Sequence, residues 1–269
     1  MRRTGSFRTN SWSGYLLILA ALVMSVGLWG CKQKIPQSEL DKFLEHYRSL
    51  PTAEFVDSLQ VLANGKPPVA TYAHYELGNF YYGAASDSAE NTGWNTDIVS
   101  TYLDSAQIHF AQAIALDSTF VQAYVNLGSL YDDRAAPIGT NFEQRRVRQE
   151  HLDTARTMYE RALAIDPDNE KANCNLGSLH LKQKEQTEAK VRFSHVLAIN
   201  PNSALAHYNM AIMFAEEKIY REALLEWELA AKVDPDGDIG DRSRANIQIV
   251  QELLSSEVPE NLGQPAGGH

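Results

Sequence analysis

Residues 155–168 read ARTMYERALAIDPD, residues 189–202 read AKVRFSHVLAINPN, and residues 223–236 read ALLEWELAAKVDPD. The three stretches align on Pro167, Pro201 and Pro235, each 34 residues from the next. They end alike, in Ile165-Asp166-Pro167-Asp168, Ile199-Asn200-Pro201-Asn202 and Val233-Asp234-Pro235-Asp236. Ahead of each proline stand a small residue, an aromatic four on, and a small or apolar residue three further: Ala155, Tyr159, Ala162; Ala189, Phe193, Val196; Ala223, Trp227, Ala230. Steps of three and four place these side chains on one face of a helix. Proline cannot continue a helix interior, so it closes each helix. A fixed period of this length marks a repeat architecture.

Upstream of these helices lies a second signature. Leu176-Gly177 with His180 precedes the second stretch, and Met210-Ala211 with Phe214 precedes the third. Two more units appear when insertions are allowed. One has Tyr124, Leu127, Gly128 and Tyr131, then Ala155 after fifteen extra residues. The other has His74, Leu77, Gly78 and Tyr81, then Ala106, Phe110 and Ala113 after sixteen extra, with Ser118 in the place of proline. The four units tile without gaps as 71–120, 121–169, 170–203 and 204–237, covering 167 of 269 residues.

This pattern resembles the tetratricopeptide repeat (TPR). The resemblance implies an all-α fold, a right-handed α-solenoid of about four TPR helix pairs with helical caps. Small residues sit where two helix backbones approach, and large ones fill the space between. One unit cannot bury its own apolar face, so neighbours stack. Asp168 and Asn202 are the expected N-caps of the helices that follow them. Residues 97–116 and 141–165 each keep helical spacing, so the second helices of the first two units are lengthened at their N-terminal ends. Segments 83–96 and 132–140, the latter with Pro137 and Gly139, read as loops at the intra-unit turns. Both would project from the same edge of the array.

The ends read differently. Residues 37–68 form an N-terminal helical pair, a degenerate repeat or a cap: 37–50 carries Leu40, Phe43, Leu44 and Tyr47 on one face, and 52–63 carries Val56, Leu59 and Leu62. Residues 239–254 read as a capping helix, and 255–269 as a disordered tail. Residues 1–30 have the form of a signal peptide. They are basic and free of acids up to Gly14, then apolar from Tyr15 to Trp29. A spanning helix needs roughly twenty apolar residues, so the run is short for a permanent anchor. Leu28-Trp29-Gly30-Cys31 resembles the bacterial lipobox, with Trp29 departing from its usual small or aliphatic residue. The resemblance implies cleavage before Cys31, a covalent lipid on its thiol and acylation of the new amine, leaving 31–36 as a lipidated N-terminus and tether. Two or three acyl chains suffice for stable anchoring. Lys32 is not the Asp that retains such proteins at the inner membrane, which points to the outer membrane, with the body facing the periplasm.

Composition narrows the function. After residue 30 there are 21 basic and 34 acidic residues, a net of −13, which repels nucleic acid. A mean hydropathy of −0.34 does not suit a multi-span membrane protein. There is no Gly-rich phosphate loop, His-Glu-x-x-His, Cys-x-x-Cys or Gly-x-Ser-x-Gly, so no enzyme is expected and no cofactor beyond the lipid on Cys31. His74, His180 and His207 fall at aromatic packing positions of different units, so no metal site is expected. Cys174 reads as a small apolar core residue. Arg145-Arg146-Val147-Arg148, flanked by Glu143 and Glu150, could meet anionic headgroups or an acidic partner, or be a solvated helix face with ion pairs.

In the family the first helices line a groove. The resemblance therefore implies a peptide-binding face through Asn126, Asn175 and Asn209 in three consecutive units, with Tyr75, Asn79 and Tyr82 in the first. An amide can donate and accept, which suits a peptide backbone regardless of sequence. The family's carboxylate clamp is missing, since its first lysine position holds Tyr75, Val125, Cys174 or Tyr208. These features point to an envelope adaptor for a peptide or helix of another envelope protein, anchored to the membrane through lipid. Alternatives are a self-associating structural protein and an accessory subunit of an envelope enzyme.

Overall fold

The computed structural model describes residues 51–94, 96–135 and 141–256. Cys31, the expected helix 37–50, most of the segment 132–140 and the residues after Ser256 lie outside the described residues. The chain divides into two units, Met1–Phe55 and Val56–His269. In the first, the described residues open helix α1 (Thr52–Ala63). The second carries a run of helices and, among the described residues, no strand.

Those helices pair in order along the chain. The pairs are α2 (Val69–Thr92) with α3 (Asp97–Leu116), α4 (Val121–Ala135) with α5 (Phe142–Ile165), α6 (Glu170–Lys182) with α7 (Gln186–Ile199), and α8 (Ala204–Glu216) with α9 (Tyr220–Val233). Helix α10 (Asp238–Ser256) closes the run against α9 and α8. Each second helix also packs on the next first helix, and successive first helices touch one another. One face is therefore lined by α2, α4, α6, α8 and α10.

Glycine fixes how closely the paired helices approach. A β-carbon placed on Gly78 would lie 2.5 Å from the Phe110 ring, on Gly128 2.5 Å from Tyr159, and on Gly177 2.4 Å from Phe193. No such carbon fits, so the aromatic of each second helix lies directly on the backbone of the first. In the fourth unit Ala211 replaces the glycine and Trp227 the smaller ring; both are buried, and the Trp227 indole N–H has no hydrogen-bond partner.

The long second helices are as expected. α3 has 20 residues and α5 has 24, against 14 in α7 and in α9. The loop expected over 83–96 begins only at Gly93. Helix α2 runs through the earlier part of that segment to Thr92 and ends at Gly93, whose φ of 81° lies in the region glycine tolerates. Its Gly, Ser, Asn and Asp content suggested a turn. Tertiary packing overrides that, because buried Ala85 and Ala89 meet Val99 and Leu103 of the lengthened α3. Likewise 132–135 is helical: α4 continues to Ala135, which is buried with Leu152 of α5. Ser255 and Ser256, expected in the tail, are the last residues of α10.

The N-caps fall one residue later than expected. Asn169 accepts from the Ala172 N–H at 3.0 Å and Ser203 from Ala206 at 3.0 Å. Each is in an extended conformation, as capping requires, while Asp168 points to His195 instead. Asn141 caps α5 in a reciprocal box with Gln144, at 2.8 and 3.3 Å. Helices α6 and α8 end in the same way. Lys184 and Lys218 take φ of 64° and 61°, and Glu185 and Ile219 donate back to His180 and Phe214 at 2.9 and 2.8 Å.

Candidate binding face

The asparagines expected to grip a peptide are joined to the preceding unit. Asn126 on α4 donates through Nδ2 to Asn79 Oδ1 at 2.7 Å and to the Tyr75 hydroxyl at 3.2 Å, both on α2. Asn175 on α6 donates to Ser129 Oγ on α4 at 3.0 Å. Asn209 on α8 lies near the Cys174 thiol on α6. All three are half-buried. The ladder ends on α10, where Asn246 donates to the Tyr208 hydroxyl at 3.4 Å and the Arg242 guanidinium lies 4.8 Å from the Tyr208 ring centre.

This arrangement arises from the repeat itself. In the first two steps the sixth residue of one unit meets the ninth residue of the unit before it, so the same offset brings Asn126 to Asn79 and Asn175 to Ser129. Asn126 directs both of its amide hydrogens to α2, so its Oδ1 is what it can offer a ligand. Tyr75 is part packing, its ring 5.0 Å from Phe120 edge-on and 6.1 Å from Phe110.

Tyr82 meets the end of α4, where its hydroxyl donates to Asp133 Oδ2. Burial pushes the Tyr82 hydroxyl far above the ordinary tyrosine range, and the neighbouring Asp133 charge adds to this. Burial also raises the Asp133 carboxyl, against the opposing pull of the Tyr82 hydrogen bond. Beside it Asp132 takes both oxygens to Lys182 Nζ of α6, at 2.8 and 2.7 Å. Sequence reasoning missed Asp132, Asp133 and Lys182 because it placed 132–140 in a loop. The signal was present in the unbroken helical spacing Leu127, Leu130, Tyr131.

Other singled-out residues have structural partners. His180 Nδ1 is 2.6 Å from Glu185 Oε2, which also receives Arg156 at 3.0 Å. His207 bridges Glu226 at 2.6 Å and the Pro201 carbonyl at 3.0 Å. Cys174 is fully buried, and burial pushes its thiol up to about 12. Arg146 is held between Glu143 and Glu150, each at 2.5 Å, as the ion-paired reading of that cluster expects. Among the described residues no group of three or more His, Cys, Asp or Glu could hold a metal ion. Among them also, no helix is long and apolar enough to cross a membrane.

Comparison with known proteins agrees with this geometry. The sequence model of the tetratricopeptide repeat matches residues 146–213. No curated protein matches the chain. Among solved structures, a tetratricopeptide repeat protein from Parabacteroides merdae is 16% identical, with 82% of this chain covering 80% of that one at a TM-score of 0.52. A monomeric mutant of IFIT1 with Gppp-AAAA is also 16% identical, with a TM-score of 0.60 over 76% of this chain. The chain spans 43% of that longer protein. A thermophilic TPR protein of Thermus thermophilus, TTC0263, is 14% identical over 66% of this chain at a TM-score of 0.49. The helices from Val69 to Ser256 thus form a tetratricopeptide-type solenoid of four pairs closed by a single helix.

Proposed function

We propose that this chain is a lipid-anchored adaptor of the bacterial cell envelope, facing the periplasm from the outer membrane. It holds a peptide or helix of another envelope protein on the face lined by the first helices. The observation that carries the reading is the polar ladder of that face, Asn79–Asn126 and Ser129–Asn175, set beside aromatic Tyr75 and Tyr82. Such a row gives a ligand hydrogen-bonding groups at each step along the array. Rigid tyrosines add contact area at little entropic cost. The membrane part rests on Leu28-Trp29-Gly30-Cys31, and no catalytic role is assigned to any residue.

Two measurements test the two halves. Mass spectrometry of the native protein is expected to show diacylglycerol on Cys31, absent after Cys31→Ser; an unmodified Cys31 in wild type rejects the anchor. A photo-crosslinker at the Gln122 or Lys171 position, on the exposed rim of the face, is expected to capture an envelope protein in living cells. Equal capture from exposed positions on the opposite, second-helix surface would reject the face as the site. A second reading, end-to-end self-assembly, has support in α10, where Ile249 is 62% exposed and Leu253 and Leu254 are also exposed at the end of the array. A monomer at high concentration in sedimentation would remove it.

A further inference from the structure

His74 on α2 and His109 on α3 face each other with their Nδ1 atoms 3.0 Å apart. Their ring centres are 5.3 Å apart. The difference is close to two ring radii, so the nitrogens point at one another. Lone pairs converging on a shared ion would bring the rings closer together, so this is a hydrogen bond rather than a metal clamp. Such a bond needs one protonated and one bare Nδ1. The Ala63 backbone at the end of α1 lies near the His74 ring. A neutral imidazole has one N–H. One of the two rings therefore donates through Nδ1 and the other accepts.

A proton added to the accepting Nδ1 removes the acceptor and sets two N–H groups head-on. Added to the other nitrogen of the donating ring, it leaves the bond but puts a charge into a half-buried interface with no counter-ion among the described residues. Among the described residues, the groups that bear on the pair are the Ala63 backbone from α1, Tyr81 from α2, stacked on His109 at 5.6 Å and 4°, and the two imidazoles themselves. No carboxylate or cation from α1, α2, α3 or α4 is among them.

The same place in the other units is closed by other chemistry. Tyr124 packs with Met158, Asn173 accepts from Arg192 at 3.4 Å, and His207 meets Glu226 at 2.6 Å. An imidazolium at His207 would keep its carboxylate partner. The first unit alone of these four joins two groups that cannot both be protonated in place.

We propose that His74 and His109 form a proton-operated latch that ties α3 to α2, closed while both rings are neutral and released when protons on both rings leave no bare Nδ1 between them. Release loosens the N-terminal end of the candidate face, because α2 also carries Tyr75 and Asn79, the partners of Asn126. Burial lowers both imidazoles from the ordinary histidine value of 6.5, and the nearness of His74 lowers His109 further. The unfolded segment therefore binds protons first. Stability from the latch is complete above pH 6.5 and is lost as pH falls below it.

The test is hydrogen exchange of the full chain in detergent at pH 7.5 and pH 5.0, each corrected for intrinsic exchange. Wild type should show α2 and α3 opening on the order of tenfold more often at the lower pH, while α8 and α9 change by less than about twofold. The double variant His74→Tyr with His109→Met imports the Tyr124–Met158 pair of the next unit and should remove the difference. Equal acid responses in wild type and variant, or a response spread evenly over all units, would overturn the proposal. A second measurement does not depend on the variant folding. The imidazole resonances of both residues in wild type should titrate below pH 6.5, and midpoints at or above 6.5 for both would overturn the proposal as well.

Discussion

Asn126 Nδ2 lies 2.7 Å from Asn79 Oδ1, and this contact joins the first helix of one repeat to the first helix of the repeat before it. The residue expected to hold a ligand is also one that holds the array together. An Asn126→Ala variant would lose this bond and the one to Tyr75, leaving Asn79 Oδ1 without its donor. The expected cost is about 1–2 kcal/mol, visible as a lower denaturation midpoint. Replacing Asn126, Asn175 and Asn209 together should therefore lower stability as well as any ligand capture. Denaturant titrations of the triple variant check this: an unchanged midpoint would show that the ladder contributes nothing to stacking.

The contact of Gly128 with Tyr159 sets a second expectation. A methyl group at 128 must displace a fully buried ring, so Gly128→Ala should destabilise by about 1–3 kcal/mol. The cause can be isolated with Tyr159→Leu, which removes the ring edge that the methyl meets. The combined cost of the two changes should fall short of the sum of the single costs by at least about 0.5 kcal/mol. Strict additivity would mean that the close approach is not what requires glycine there.

How much of this was legible in the sequence depended on which interactions repeat. Pro167, Pro201 and Pro235, with the Gly–aromatic pairs, recur at a fixed interval, so the helix pairs and their stacking could be read directly. The extent of α2 could not, because Ala85 and Ala89 lie in a polar, glycine-containing stretch and become helical only where α3 supplies Val99 and Leu103. The candidate face was half legible. Asn126, Asn175 and Asn209 could be aligned by position, but the bonds of the first two to Asn79 and Ser129 need the distance between neighbouring first helices. His109 gave no signal, since it lies between the repeat positions Ala106 and Phe110 and gains meaning only opposite His74.

Lys184 and Lys218 offer a gain in stability. Both close a helix in the left-handed region, where a β-carbon is strained and glycine is not. Lys184 is exposed, and its ion pair with Glu216 spans 3.6 Å, a contact of little weight in water. Lys184→Gly and Lys218→Gly should each raise stability by a few tenths to about 1 kcal/mol, because the relieved strain exceeds the added freedom of the unfolded chain. A higher melting temperature for the double variant is the expected reading, and a lower one would show that the entropy of the unfolded chain outweighs the strain.

Cys174 should be chemically silent while the array is folded. Its side chain is fully buried between α6 and its neighbours, and its thiol is pushed up to about 12, so almost no thiolate exists at neutral pH. The thiolate is the nucleophile, so a soluble disulfide reagent should label Cys174 only as fast as the third unit opens. In a Cys31→Ser background no other thiol competes, and the labelling rate becomes a direct report of opening in that unit. Labelling should be complete in denaturant and slower by several orders of magnitude in buffer at pH 7. Destabilising the unit with Gly177→Ala should accelerate it, because Gly177 underlies Phe193 as Gly128 underlies Tyr159. Fast labelling of the native Cys31→Ser protein would mean that the helix α6 core exchanges with solvent far more readily than its packing implies.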